Sequence, residues 1–223
     1  MGKMIEFLRP DGATSAGYRA DGPADKPNSP GLILIQEWWG LKPHILELAE
    51  RFAGAGYTVL APDLYRGRLA SDADEASHMM GALDFVDACD QDLAGALKHL
   101  QASCPKVGVT GFCMGGALTI AAAVRLPGLA AASCFYGLPP KQLADPARIA
   151  IPLQGHFADQ DDWCTPALVD AFEAALTVPA EIHRYHAQHA FFNNSRPEVY
   201  DAQCAALAWQ RTVQFFTHHL SKT

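Results

Sequence analysis

Val107-Gly108-Val109-Thr110-Gly111-Phe112-Cys113-Met114-Gly115-Gly116 is the stretch whose reading decides the fold. Its first residues form a short β-prone run, and the alanine-rich segment Ala117 to Arg125 that follows has helical character. A strand that enters a helix through Gly-x-Cys-x-Gly is the nucleophile-elbow pattern with cysteine at its centre. The turn is so sharp that side chains two before and two after the cysteine would collide with the strand and helix it joins. It lifts the thiol clear of the sheet and sets it at a helix N-terminus. There, partial positive charge and free N–H groups favour a thiolate and a developing oxyanion, with the Met114 N–H as the expected first donor. A glycine-rich nucleotide loop does not fit, because glycines 111, 115 and 116 have the wrong spacing. Taken alone, the turn favours a buried structural cysteine, so the surrounding elements decide.

Working outward, apolar runs alternate with helix-period segments. Gly31 to Gln36 is a continuous apolar run that reads as a strand buried on both faces. Residues 42–55 place Ile45, Leu48, Ala49 and Phe52 on one helical face, with Pro43 in the first turn. Further strands are expected at Tyr57–Ala61, Lys106–Thr110, Ala130–Phe135, Ile149–Gln154 and Glu181–Tyr185. Further helices are expected over 86–102, 117–125, 166–176 and 198–219, and residues 71–84 read as a helical segment as well. This alternation predicts an α/β fold with a mostly parallel central sheet and helices on both faces. With no repeat and no linker, 1–223 reads as one domain. Residues 1–30 would be an N-terminal hairpin and turn segment, and 31–220 the core.

The 223 residues are 49% hydrophobic and 18% charged, a globular composition that excludes disorder. The net charge of −7 with no basic run leaves no footprint for nucleic acid or an anionic membrane. No stretch reaches the length of a membrane span and the N-terminus lacks a signal-like apolar region, so a cytoplasmic protein is expected. The six cysteines contain no CxxC pair and no metal-ligand spacing, which argues against a disulfide framework.

A thiol nucleophile needs a base and a group to orient it. Gly155 to Pro166 supplies Asp159, Asp161 and Asp162 between a strand and a helix, and Tyr185 to Phe192 supplies His186 and His189 after the last strand. The order Cys, Asp, His is the order in which this architecture presents its triad. His183, His186 and His189 also form HxxHxxH. On an extended strand that spacing alternates faces, so no metal site is expected. Trp38, Trp39, Tyr136, Phe191 and Phe192, with Met79 and Met80, are candidates to line an apolar pocket.

Four segments together, IQEWWGL at 35–41, GFCMGG at 111–116, DDWCTP at 161–166 and HAFFNNSRPEVYD at 189–201, resemble the dienelactone hydrolase family of the α/β-hydrolase superfamily. The resemblance covers roughly residues 30–218. It implies an α/β-hydrolase fold, Cys113 as nucleophile, His189 as general base and Asp162 as the orienting acid, four residues before Pro166. Asp159 and Asp161 compete with Asp162 for that role. The resemblance further implies that Glu37 contacts the resting thiol and takes its proton when substrate binds, and that the Trp38 N–H is the second oxyanion donor. Trp39, Tyr136, Phe191 and Asn193 would line the substrate pocket. One departure stands out: the family's carboxylate-binding arginine, four residues after the histidine, is Asn193 here, and segment 71–84 offers only His78. Arg66, Arg68 and Arg196 are the candidate substitutes. The expected activity is hydrolysis of a small-molecule ester or lactone through a thioester, without cofactor or metal, by a monomer or weak homodimer. An esterase of broad or apolar specificity on the same triad is the nearest alternative. A thiol redox protein using Cys104 or Cys134 as resolving thiol and a non-catalytic binding module are the rivals from other classes.

Overall fold

Leu32 and Leu34 face one side of the sheet and Ile33 and Ile35 the other, and all four are fully buried. A strand that is apolar at every position needs a helical layer on each face, and two hydrophobic clusters supply it. The computed structural model describes residues 1–23 and 29–221. The turn reading of residues 24–28 lies outside the described residues.

In chain order the elements are β1 (Lys3–Leu8), β2 (Thr14–Ala20), β3 (Gly31–Ile35), α1 (Pro43–Gly54), β4 (Thr58–Pro62), α2 (Ala73–Ala82), α3 (Phe85–Asp87), a π-helical turn (Ala88–Leu93) and α4 (Ala94–Gln101). They continue with β5 (Val107–Phe112), α5 (Met114–Arg125), β6 (Ala131–Phe135), a 3-10 turn (Pro146–Arg148), β7 (Leu153–Gln160), α6 (Pro166–Ala175), β8 (Ala180–Gln188) and α7 (Ala202–Leu220). The eight strands form one sheet in the order β1-β2-β4-β3-β5-β6-β7-β8. From β4 to β8 all pairings are parallel, and the β1–β2 hairpin extends the β4 edge antiparallel. Apolar residues of α2, α4, α5 and α6 cover one face, and those of α1 and α7 cover the other. The fold is thus α/β with a mostly parallel sheet, and among the described residues no helix is long and apolar enough to cross a membrane. Chain order reverses at β3, which lies between β4 and β5, and such a switch point opens a crevice at the carboxyl ends of the strands.

Two expected elements differ in the structure. Segment 86–102 is split into α3, the π turn and α4. The strand expected over 149–154 begins at Leu153 instead, just after Pro152, which has no N–H for a ladder bond. It then runs on to Gln160, so Gly155 to Asp159, read from sequence as a loop, pair largely with β8.

A buried polar network ties β6, β7 and β8 to α7. The His156 ring stacks on Phe135 at 4.3 Å between centroids, and its Nδ1 lies 2.7 Å from the Tyr185 hydroxyl. Its Nε2 lies 2.8 Å from Gln154 Oε1 and 3.0 Å from Thr212 Oγ1. Full burial, with smaller contributions from His183 and Arg211, holds its pKa well below the ordinary histidine value. The folded state therefore keeps His156 neutral, while the unfolded chain protonates it below about pH 6.5. Stability present above that pH is lost as pH falls through it. His156→Gln is expected to lower stability at pH 7.5 and to flatten its decline between pH 7 and 5, by up to about 1.4 kcal/mol per pH unit. Urea unfolding of both proteins across that range checks this; an unchanged slope contradicts it.

Candidate active site

Cys113 stands between β5 and α5 with φ 55° and ψ −117°, a left-handed conformation costly for a residue with a side chain. The close packing around it explains the two flanking glycines. A Cβ on Gly115 would sit 2.5 Å from the carbonyl oxygens of both Ile35 and Gln36, and one on Gly111 would strike the Gly115 carbonyl. The turn is pinned by the Cys113 N–H donating to the Phe135 carbonyl at 3.0 Å and by the Ala117 N–H donating to the Cys113 carbonyl at 3.1 Å. Tyr136 (φ 35°) and Ala190 (φ 64°), directly after β6 and His189, are left-handed as well. Of the four non-glycine residues with positive φ among the described residues, three thus stand around one crevice, and the fourth is Arg66.

Because β3 and β6 flank β5, their carboxyl ends deliver the neighbours of the thiol. Glu37, two residues beyond β3, is buried, with 2% of its surface exposed. Its Oε1 accepts from the Tyr136 hydroxyl at 3.3 Å and its Oε2 from the Asn193 amide at 2.5 Å. Burial pushes the Cys113 thiol far up, and the Glu37 charge adds to that; the Met114 N–H, donating to the sulfur, opposes it without prevailing. Burial and the Glu37 charge thus both favour the protonated thiol. The Tyr136 phenol is driven well up by burial and by the same Glu37 charge, so it remains a donor.

His189 follows β8, and its Nδ1 lies 2.7 Å from Asp161 Oδ2. This corrects the assignment of Asp162, which is exposed. Asp161 directly follows β7 and turns inward, where its Oδ1 accepts the N–H groups of Trp163 at 2.7 Å and Cys164 at 2.9 Å. Burial pushes its pKa up, but the bond to His189, that residue's charge and the two backbone donors outweigh this and hold it below the usual carboxylate range. A carboxylate bonded at Nδ1 fixes the tautomer whose Nε2 is the free base. His186 is exposed and pairs with Asp159 at 3.0 Å. His183 lies 3.5 Å from Glu181. The HxxHxxH histidines therefore face three different carboxylates and do not converge.

Cys113, His189, Met114, Glu37 and Tyr136 line a cavity of about 360 Å³, together with Trp38 and Trp39. Three expected pocket residues, Phe191, Phe192 and Asn193, lie elsewhere. Phe191 is fully buried and packs between Tyr136 and Tyr185, at 5.5 and 4.9 Å between ring centroids. Asn193 faces an adjoining cavity, and its amide is spent on Glu37. Of the methionines, Met80 lines the reaction cavity while Met79 is core. Arg196 also lines the cavity, whereas Arg66 is engaged with Asp92. Sequence reasoning missed Trp163 and Cys164 in the wall; they sit beside the correct aspartate, which was their signal. Cys104, in the α4–β5 connection, and Cys134, in β6, are both buried.

The model of the dienelactone hydrolase family matches residues 17–220. The chain belongs to the dienelactone hydrolase family. It is 36% identical to "Protein usf" of Aquifex pyrophilus, over 99% of this chain and all of that one. It is 32% identical, at the same coverage, to a protein of Aquifex aeolicus named "Putative carboxymethylenebutenolidase". A crystal structure titled "Putative Dienelactone Hydrolase", from Klebsiella pneumoniae, superposes with a TM-score of 0.86 at 27% identity, covering 97% of this chain and 99% of that one. Membership in this family makes the chain a carboxylic ester or lactone hydrolase.

The two adjacent aspartates give a direct check of the geometry. Asp161→Asn is expected to lower kcat by a factor on the order of 10² to 10⁴, through loss of the correct tautomer. Asp162→Asn, at an exposed position, should stay within about threefold of wild type. Steady-state ester hydrolysis by both variants decides between them.

Proposed function

We propose that this dienelactone hydrolase family member cleaves an ester or lactone through a thioester on Cys113. The reading rests on one observation above the rest: the strained cysteine at the head of α5 shares a cavity with a histidine whose Nδ1 is held by a buried carboxylate. Arriving substrate draws Glu37 from its bonds with Tyr136 and Asn193, and Glu37 takes the thiol proton. The sulfur adds to the carbonyl carbon, and the oxyanion is held by the N–H groups of Met114 and Trp38. The C–O bond breaks, Glu37 returns the proton to the leaving oxygen, and the thioester remains. In a lactone the leaving oxygen stays tethered to the acyl group. His189 then takes a proton from water through Nε2, and the hydroxide adds to the thioester. The C–S bond breaks, the proton passes from His189 to sulfur, and the acid departs. Attack, proton transfer and oxyanion stabilisation are all assigned to side chains and backbone, so the proposal invokes no cofactor.

The test is to quench the enzyme in acid during turnover of 4-nitrophenyl acetate and locate the acyl group by peptide mass spectrometry. One acetyl group on the peptide containing Cys113 is expected. Cys113→Ala should lose kcat/KM by a factor on the order of 10³ or more. An acyl group on another residue, or a Cys113→Ala protein of full activity, contradicts the proposal.

A further inference from the structure

Apart from its reacting groups, the cavity beside Cys113 is walled by Trp38, Trp39, Trp163, Phe85, Met80 and Leu138. The tryptophans form a continuous aromatic surface, with Trp39 and Trp38 ring centroids 5.2 Å apart and those of Trp38 and Trp163 6.0 Å apart. Trp163 is 65% exposed, which puts it at the mouth. The charged groups in the wall are Glu37, Arg196 and, when protonated, His189. Both Glu37 oxygens already accept bonds. The Arg196 Nε donates to Glu198 at 2.8 Å, and its guanidinium lies 5.8 Å from the Trp39 ring centroid. The cation is therefore shared with a carboxylate and an indole, and it stands in the same wall as the buried Glu37 charge.

An anionic arm entering this cavity would give up water for indole and thioether surface and meet a cation that is already paired. It would also approach Glu37, whose charge already acts on the thiol. A cationic arm would find Arg196 over the Trp39 face. An uncharged aromatic or alkyl group meets complementary surface along the whole tryptophan row, in a volume suited to a ring-sized substituent. We infer that the substrate is an uncharged ester or lactone carrying an apolar, ring-sized group beside the scissile carbonyl. The inference rests on the hydrolase reading above and narrows its substrate class.

The test compares methyl 4-acetoxybenzoate with 4-acetoxybenzoate, two acetate esters of one phenol ring that carry a methyl ester or a carboxylate at the para position, each rate normalised to its hydroxide-catalysed hydrolysis. The methyl ester is expected to have the higher kcat/KM by a factor on the order of 10 to 100. Arg196→Ala should change both rates by a similar factor. Equal rates or a faster acid overturn the inference, and an advantage of the acid that disappears in Arg196→Ala makes Arg196 a carboxylate anchor. If neither compound is hydrolysed, it is the hydrolase reading that suffers, and the cavity is tested without turnover. Tryptophan fluorescence of Cys113→Ala, titrated with both compounds, then decides. Tighter quenching by the methyl ester supports the uncharged class, while equal quenching, tighter quenching by the acid, or no response to either overturns it.

Discussion

The structure depends on the packing of one turn. Cys113 can hold its left-handed conformation only while Gly111 and Gly115 let the β5–α5 junction lie against the carbonyls of Ile35 and Gln36. Strain of this kind costs about 1–3 kcal/mol per residue and persists only where the surroundings over-determine it. Here they do, since β3, β5 and β6 are buried along their whole length and fix the ends from which Glu37, Cys113 and Tyr136 emerge.

Two carboxylates in this crevice are put to opposite electrostatic uses. Asp161 is kept ionised by His189 and two backbone N–H groups, so it can fix a tautomer and support a positive imidazole. Glu37 is satisfied by neutral donors, Tyr136 and Asn193, and its charge acts on the thiol by disfavouring the thiolate. A half-buried thiol kept protonated is a poor target for oxidants and a poor nucleophile. Reactivity must then come with the substrate, which is the sense of the Glu37 step in the proposed mechanism. An amide at position 193 holds Glu37 without adding a positive charge, which leaves Arg196, paired with Glu198, as the cation in the cavity wall.

Much of this was legible in the sequence because the strongest constraints are local. Gly-x-Cys-x-Gly specified the turn, and continuous apolar runs such as Gly31 to Ile35 specified strands buried on both faces. What could not be read there depends on where a chain turns inward. Asp161 and Asp162 are neighbours with the same side chain, and only the end of β7 determines which of them is buried. Phe191 has the composition of a pocket wall but packs into the sheet's other layer, because Ala190 adopts a left-handed conformation and redirects the chain after His189. Asn193 lies near the site in sequence and in space, yet its role is to hold Glu37, a partner 156 residues away.

Burial of the sulfur and the Glu37 charge together favour a protonated resting thiol at Cys113. The measurement that tests it most directly is the rate of iodoacetamide labelling of Cys113 from pH 5 to 10, read on its own peptide, in wild type and Glu37→Gln. Slow labelling at neutral pH, no inflection below the ordinary thiol range, and faster labelling at every neutral pH in Glu37→Gln are expected. A labelling inflection below about pH 7 in the wild-type protein, the signature of a resting thiolate, would contradict it.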